Sequence, residues 1–98
     1  MQAMAWGQLF ASGGGTASLQ INLPPGYYVI ADAALTQIDD TSSAIIGITS
    51  YTEADGNQVY PSWPNWDVSI WEQGISSVTF GLYAFGAYAT GIANVFCW

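Results

Sequence analysis

The sequence predicts an all-β domain, a small antiparallel β-sandwich of jelly-roll-like type with seven to eight short strands, in one domain over residues 1–98. Three observations carry this prediction. Apolar and polar residues alternate with a period of two in several separate windows, the signature of half-buried strands. Eleven glycines, with clusters of Pro, Asn, Asp and Ser, punctuate the chain at short and even intervals. Helix start and stop signals are scarce, and short strands divided by tight turns favour a sandwich or barrel over a mixed fold.

In chain order, a short strand is expected over Ala5–Phe10, opened by Trp6-Gly7 and broken by Ser12-Gly13-Gly14-Gly15. That glycine run has neither the following helix nor the GK[ST] of a phosphate loop, so it reads as a turn. From Ala17 to Leu23 the alternation is clean: Leu19, Ile21 and Leu23 share one face, and Ser18, Gln20 and Asn22 the other. Pro24-Pro25-Gly26 ends this strand, because proline cannot donate to a ladder. A long strand is expected over Tyr27–Ile38, with Val29, Ala31, Ala33 and Leu35 inward and a bulge near Asp32. Ala44–Thr52 and Gln58–Tyr60 flank Glu53-Ala54-Asp55-Gly56-Asn57, where Asp-Gly supplies the positive φ that hairpin turns demand. Val68–Glu72 resumes the sheet, with Val68 and Ile70 inward and Ser69 and Trp71 outward.

The run from Gly74 to Trp98 contains no charged residue. A run of that length must be buried in protein or in lipid. It carries Ser76, Ser77, Thr79, Thr90 and Asn94, has internal glycines, and is not flanked by Lys or Arg. Two strands fit it better than a membrane helix. Val78, Phe80, Leu82 and Ala84 alternate with Ser77, Thr79, Gly81 and Tyr83; beyond Gly86-Ala87, Ile92, Asn94, Phe96 and Trp98 alternate with Ala93, Val95 and Cys97. A closing hairpin ending at the last residue is the expectation.

Charge excludes several chemistries. Charged residues are 7% of the chain, all seven of them Asp or Glu, and Lys, Arg and His are absent; about a quarter is usual. A net charge of −7 with no base to meet phosphate argues against nucleic acid and against anionic membrane surfaces. Without His or Lys there is no Ser-His or Cys-His pair and no Schiff base, so an enzyme is not expected. A carboxylate pair acting on a glycoside is the one mechanism left, and its candidates Asp67 and Glu72 fall on opposite faces of a strand. Asp39 and Asp40 are too few oxygen donors for Ca²⁺ and read as a solvated turn, so no metal or other cofactor is expected. Cys97 is the single cysteine and reads as a buried free thiol. The opening MQAMAWGQLF lacks the basic and long apolar regions of a signal peptide, so Sec-dependent export is not expected.

Two groups of residues are candidate contact sites. Tyr60, Trp63, Asn65, Trp66 and Asp67 combine aromatic faces with polar edges in one proline-punctuated loop, a suitable set for a cell-surface glycan: rings stack on the apolar faces of sugars while amides and carboxylates meet hydroxyls. The competing reading is that Trp63 and Trp66 cap the core or pack against another subunit. Tyr28, Trp71, Tyr83 and Tyr88 fall on faces that would be wet in a monomer, and aromatic enrichment with charge depletion is the composition of an interface core.

The opening Trp6-Gly7, the strand into Leu23-Pro24, the Val78-Thr79-Phe80 strand and the closing Asn94-Val95-Phe96-Cys97-Trp98 resemble the C-terminal tip domains of bacteriophage tail fibres. The chain lacks the Ala-Gly or Ile-Gly ending common in those domains, and this keeps a separate small virion protein, a decoration or tail accessory subunit, equally in view. The expectation is a non-enzymatic structural protein of a viral particle, on the virion surface or extracellular. It would be a homo-oligomer, with a trimer favoured, or would assemble with other virion proteins. A lectin-like module using the Trp63/Trp66 loop is the alternative.

Overall fold

A computed structural model describes residues 2–23, 28–38, 44–61 and 69–97. These form eight strands and no helix: β1 (Gln2–Ser12), β2 (Thr16–Asn22), β3 (Tyr28–Ile38), β4 (Ala44–Thr52), β5 (Gln58–Val59), β6 (Ser69–Gln73), β7 (Ser77–Ala84) and β8 (Tyr88–Cys97). Two four-stranded antiparallel sheets result, in the orders β1-β8-β3-β6 and β2-β7-β4-β5. The ladders pair β1 with β8, β2 with β7, β3 with β6 and β4 with β5. The first half of the chain therefore runs antiparallel to the second as one long ribbon. Wrapping that ribbon joins β3 to β8 and β4 to β7. This is the jelly-roll arrangement, a double-sheet answer to the problem of exposed strand edges.

The wrapping corrects the expected closing hairpin. Strands β7 and β8 lie in different sheets, and residues 85–87 carry the chain across the sandwich. Beside this crossing runs the one from β1 to β2, and the two are stitched together by backbone hydrogen bonds. Gly13 N donates to Ala87 O (3.0 Å), Gly14 N to Ala84 O (2.9 Å) and Ala84 N to Gly15 O (3.1 Å). Apolar sides on both β7 and β8 are better buried by entering two facing sheets than by pairing with each other at one edge.

The core is asymmetric. Towards it the β2-β7-β4 sheet sends Ile21, Ile46, Ile48, Val78, Phe80 and Leu82, whereas the β1-β8-β3 sheet sends mainly Ala11, Ala31, Ala89 and Ala93 with Leu9, Val29 and Val95. Large side chains on one wall fill the space that small ones leave on the other. At Gly91 the fit is closest, since a Cβ there would collide with Ile46 Cδ1 and lie 3.2 Å from the Ala34 carbonyl oxygen. The alternation read for β2 is borne out, with Ser18, Gln20 and Asn22 exposed; in β7 Val78, Phe80, Leu82 and Ala84 are fully buried, but Ser77 and Gly81 between them are buried too.

Other boundaries shift. β1 is eleven residues long rather than confined to residues 5–10, because β8 offers it a ladder as far as Ser12–Tyr88. In β3 the register slips between Leu35 and Gln37, not near Asp32, and Leu35 is 38% exposed rather than inward. From Ala34 to Ile38 every residue of β3 is exposed, because the bulge turns this end away from the opposite sheet. The expected hairpin around residues 53–57 is present. Tyr51 pairs with Val59 and Thr52 with Gln58, while Glu53 N donates to Asn57 O (2.8 Å), Gly56 N to Glu53 O (2.9 Å) and Asn57 N to Asp55 Oδ1 (2.9 Å).

Candidate functional site

The two outer faces of the sandwich differ in chemistry. On the β2-β7-β4 sheet the exposed row Thr16, Ser18, Gln20 and Asn22 makes the β2 edge of the face polar without charge, with Tyr83 and Ile45 half-buried beside it. On the β1-β8-β3 sheet the outward positions are Trp6, Gln8 and Phe10 from β1, Ile30, Asp32 and Ala34 from β3, and Ile92, Asn94 and Phe96 from β8. Strand parity places them there, since Leu9, Ala31, Ala93 and Val95 point into the core. Trp6 is 66% exposed and Phe10 62%. Ile30, Ile92 and Phe96 are half-buried by their neighbours, and Tyr28 extends the apolar surface along β3, whereas Leu35 and Ile38, exposed though they are, stand in register with the inward-facing Gly91 and Ala89.

One carboxylate interrupts this surface. Asp32 sits opposite Asn94 in the register, and Asn94 Nδ2 donates to its Oδ1 at 3.3 Å. The charge is held by a neutral partner within the same sheet.

Near the end of the sheet that meets the two crossings, the face opens into a shallow groove of about 620 Å³. Its floor is Thr90 and the backbone of Gly91, one wall is Gln8 and Phe10 of β1, and the other is Thr36 and Gln37 at the bulge of β3. The Thr36 and Thr90 hydroxyls lie 2.9 Å apart and share a hydrogen bond, and Gln37 Nε2 approaches the Tyr88 hydroxyl at 3.5 Å.

The structure separates the aromatic residues grouped as interface candidates. Tyr28 and Tyr88 lie on the β1-β8-β3 face, towards its opposite ends. Tyr83 is half-buried on the other sheet, where its ring packs against Phe85 at a centroid distance of 4.5 Å and a tilt of 54°. Trp71 is in β6 opposite Ile30 in the register. Of the expected glycan set only Tyr60 is described, exposed and with its hydroxyl on Gln58 Oε1; Trp63, Asn65, Trp66 and Asp67 lie outside the described residues, as do Asp39 and Asp40.

The residues that dominate the face, Trp6, Phe10, Ile92 and Phe96, were not singled out from sequence. Their signal was bulk at outward parity in β1 and β8, legible only once Gly7, Gly91 and Ala93 are known to face the opposite wall. Among the described residues no group of three or more His, Cys, Asp or Glu could hold a metal ion, and no helix is long and apolar enough to cross a membrane. No protein-family model matches the chain, and no curated protein matches it in sequence.

Proposed function

We propose that this chain is a non-enzymatic structural protein of a viral particle, a fibre-tip, decoration or accessory subunit that assembles into a symmetric oligomer at the particle surface. The observation that carries the reading is the outer face of the β1-β8-β3 sheet, an apolar surface built on Trp6, Phe10, Ile30, Ile92 and Phe96 on which the carboxylate among the described residues, Asp32, is already bonded to Asn94. Contiguous apolar patches of this kind mark interaction sites, and an aromatic-rich, charge-poor centre is the composition of an interface core. Three strands about 4.8 Å apart, with about ten residues rising roughly 3.4 Å each, give a face of the order of 500 Å² in projection. Side-chain relief brings that to the scale of a standard interface, about 800 Å² per partner.

The viral part of the reading rests on the resemblance to tail-fibre tips and on analogy, since jelly rolls include viral capsid domains among several unrelated functions. A compact domain without bases, held by apolar burial and backbone ladders, suits a subunit whose work is packing. The test is composition: mass spectrometry of purified particles from the source culture should find the chain as a repeated, stoichiometric component. Its confinement to the non-particle fraction would refute the reading.

A further inference from the structure

We propose that the groove over Thr90 is a binding site for a neutral saccharide unit. This goes beyond the assembly reading, because it assigns a ligand to the crossing end of the same face, where the groove shares Phe10 with the apolar surface. Six residues of β8, roughly 20 Å at strand rise, separate Thr90 from Phe96 at the other end of the apolar surface.

Two independent features converge on it. The first is shape. The β3 bulge between Leu35 and Gln37 inserts Thr36 as an unpaired residue and swings the end of β3 outward, so that a trough forms over β8 with walls from β1 and β3. Bulges commonly re-aim side chains in this way beside functional sites. The second is the pairing of a platform with polar groups. Phe10 presents an exposed ring on one wall, and facing it across Thr90 are the Thr36 hydroxyl and the Gln37 amide, with the Gln8 amide beside it. The apolar face of a pyranose stacks on such a ring, while its hydroxyls, each both donor and acceptor, match amides and hydroxyls that are also both. The 3.5 Å approach of Gln37 to Tyr88 is long for a hydrogen bond, so this amide is available to turn towards a ligand.

Charge selects the class of sugar. Among the described residues none of the groove-lining side chains is ionisable, and the chain as a whole carries −7 with no base. Sialylated or uronic-acid glycans meet no counter-charge and are repelled at long range; hexoses and N-acetylhexosamines are not. The polar groups stand on strands, and Thr36 and Thr90 brace each other at 2.9 Å, so the site is positioned before a ligand arrives.

Saturation-transfer NMR on the full chain at neutral pH tests this, with the methyl glycosides of glucose, galactose, mannose and N-acetylglucosamine as neutral probes and sialyllactose as the anionic one. At least one neutral glycoside should receive saturation, and Phe10→Ala and Thr90→Val should each weaken its binding by about tenfold while circular dichroism stays that of the parent. The inference fails if no neutral glycoside binds, if sialyllactose is preferred, or if both variants bind as the parent does. Solution mass recorded on the same samples keeps the two proposals apart: a monomer that binds glycoside sustains this one and sinks assembly, and an oligomer that binds none does the reverse.

Discussion

Replacing Ala93 with leucine probes the asymmetry of the core. Ala93 is fully buried in β8 and sits in register between Gly7 and Ala33, the row of smallest side chains on its wall. The opposite wall already occupies that space: a Cβ on neighbouring Gly7 would collide with Leu19 Cδ2, as one on Gly91 would with Ile46. Three added carbons have nowhere to go, and overpacking of this kind costs about 1–3 kcal/mol. For a domain of this size that is a fall in Tm of roughly 5–20 °C. The neighbouring Ile92→Ala is the control. Ile92 is larger but points outward and is half-buried, so removing three carbons at about 0.8 kcal/mol each when fully buried costs only about 1 kcal/mol. Urea unfolding followed by tryptophan fluorescence, at one protein concentration for both variants, reads the two costs. Should Ala93→Leu prove neutral, β8 would be rotated by one residue and the assignment of faces would be wrong.

Two further outcomes follow from the same packing. Phe80 is fully buried and lies between Leu19 and Ile48 in the register, so Phe80→Ala should cost about 3–5 kcal/mol, against roughly 5–15 kcal/mol for a typical domain; a urea midpoint close to the parent's would contradict the core described. Burial raises the Cys97 thiol above its ordinary value, so the folded chain should react slowly with a thiol reagent and the unfolded chain quickly. Because the unfolded thiol ionises first as pH rises, stability should be unaffected below the ordinary thiol range and decline above it, a trend that Cys97→Ala should remove.

Much of the fold was legible because it is locally encoded. Strand β2 alternates cleanly since one side of it meets the core, and Asp55-Gly56 declares its turn in the residues themselves. The pairing of β1 with β8 was not, because it joins residues 95 apart, Gln2 with Cys97, through no local signal. Proximity in sequence suggested that β7 and β8 pair; the stitching of Gly13 and Gly14 to Ala87 and Ala84 shows how the wrapped ribbon keeps them in separate sheets. Bulk misleads in β1 and β8 for a related reason. Trp6, Phe10, Ile92 and Phe96 would ordinarily mark the core, but here Phe80, Leu82, Ile46 and Ile48 fill it from the other side, and alanine and glycine face them. The candidate site was hidden with that face. Its groove depends on a bulge at Thr36 of β3, which the length of the strand suggested nearer Asp32.

The solution mass of the chain, by light scattering behind a sizing column at micromolar concentration, tests the assembly reading most directly. The account predicts three times the 10.5 kDa chain mass or a larger closed ring, lowered towards the monomer when Trp6 and Ile92 are both replaced by serine. A parent chain that elutes as a 10.5 kDa monomer up to the highest soluble concentration would contradict it.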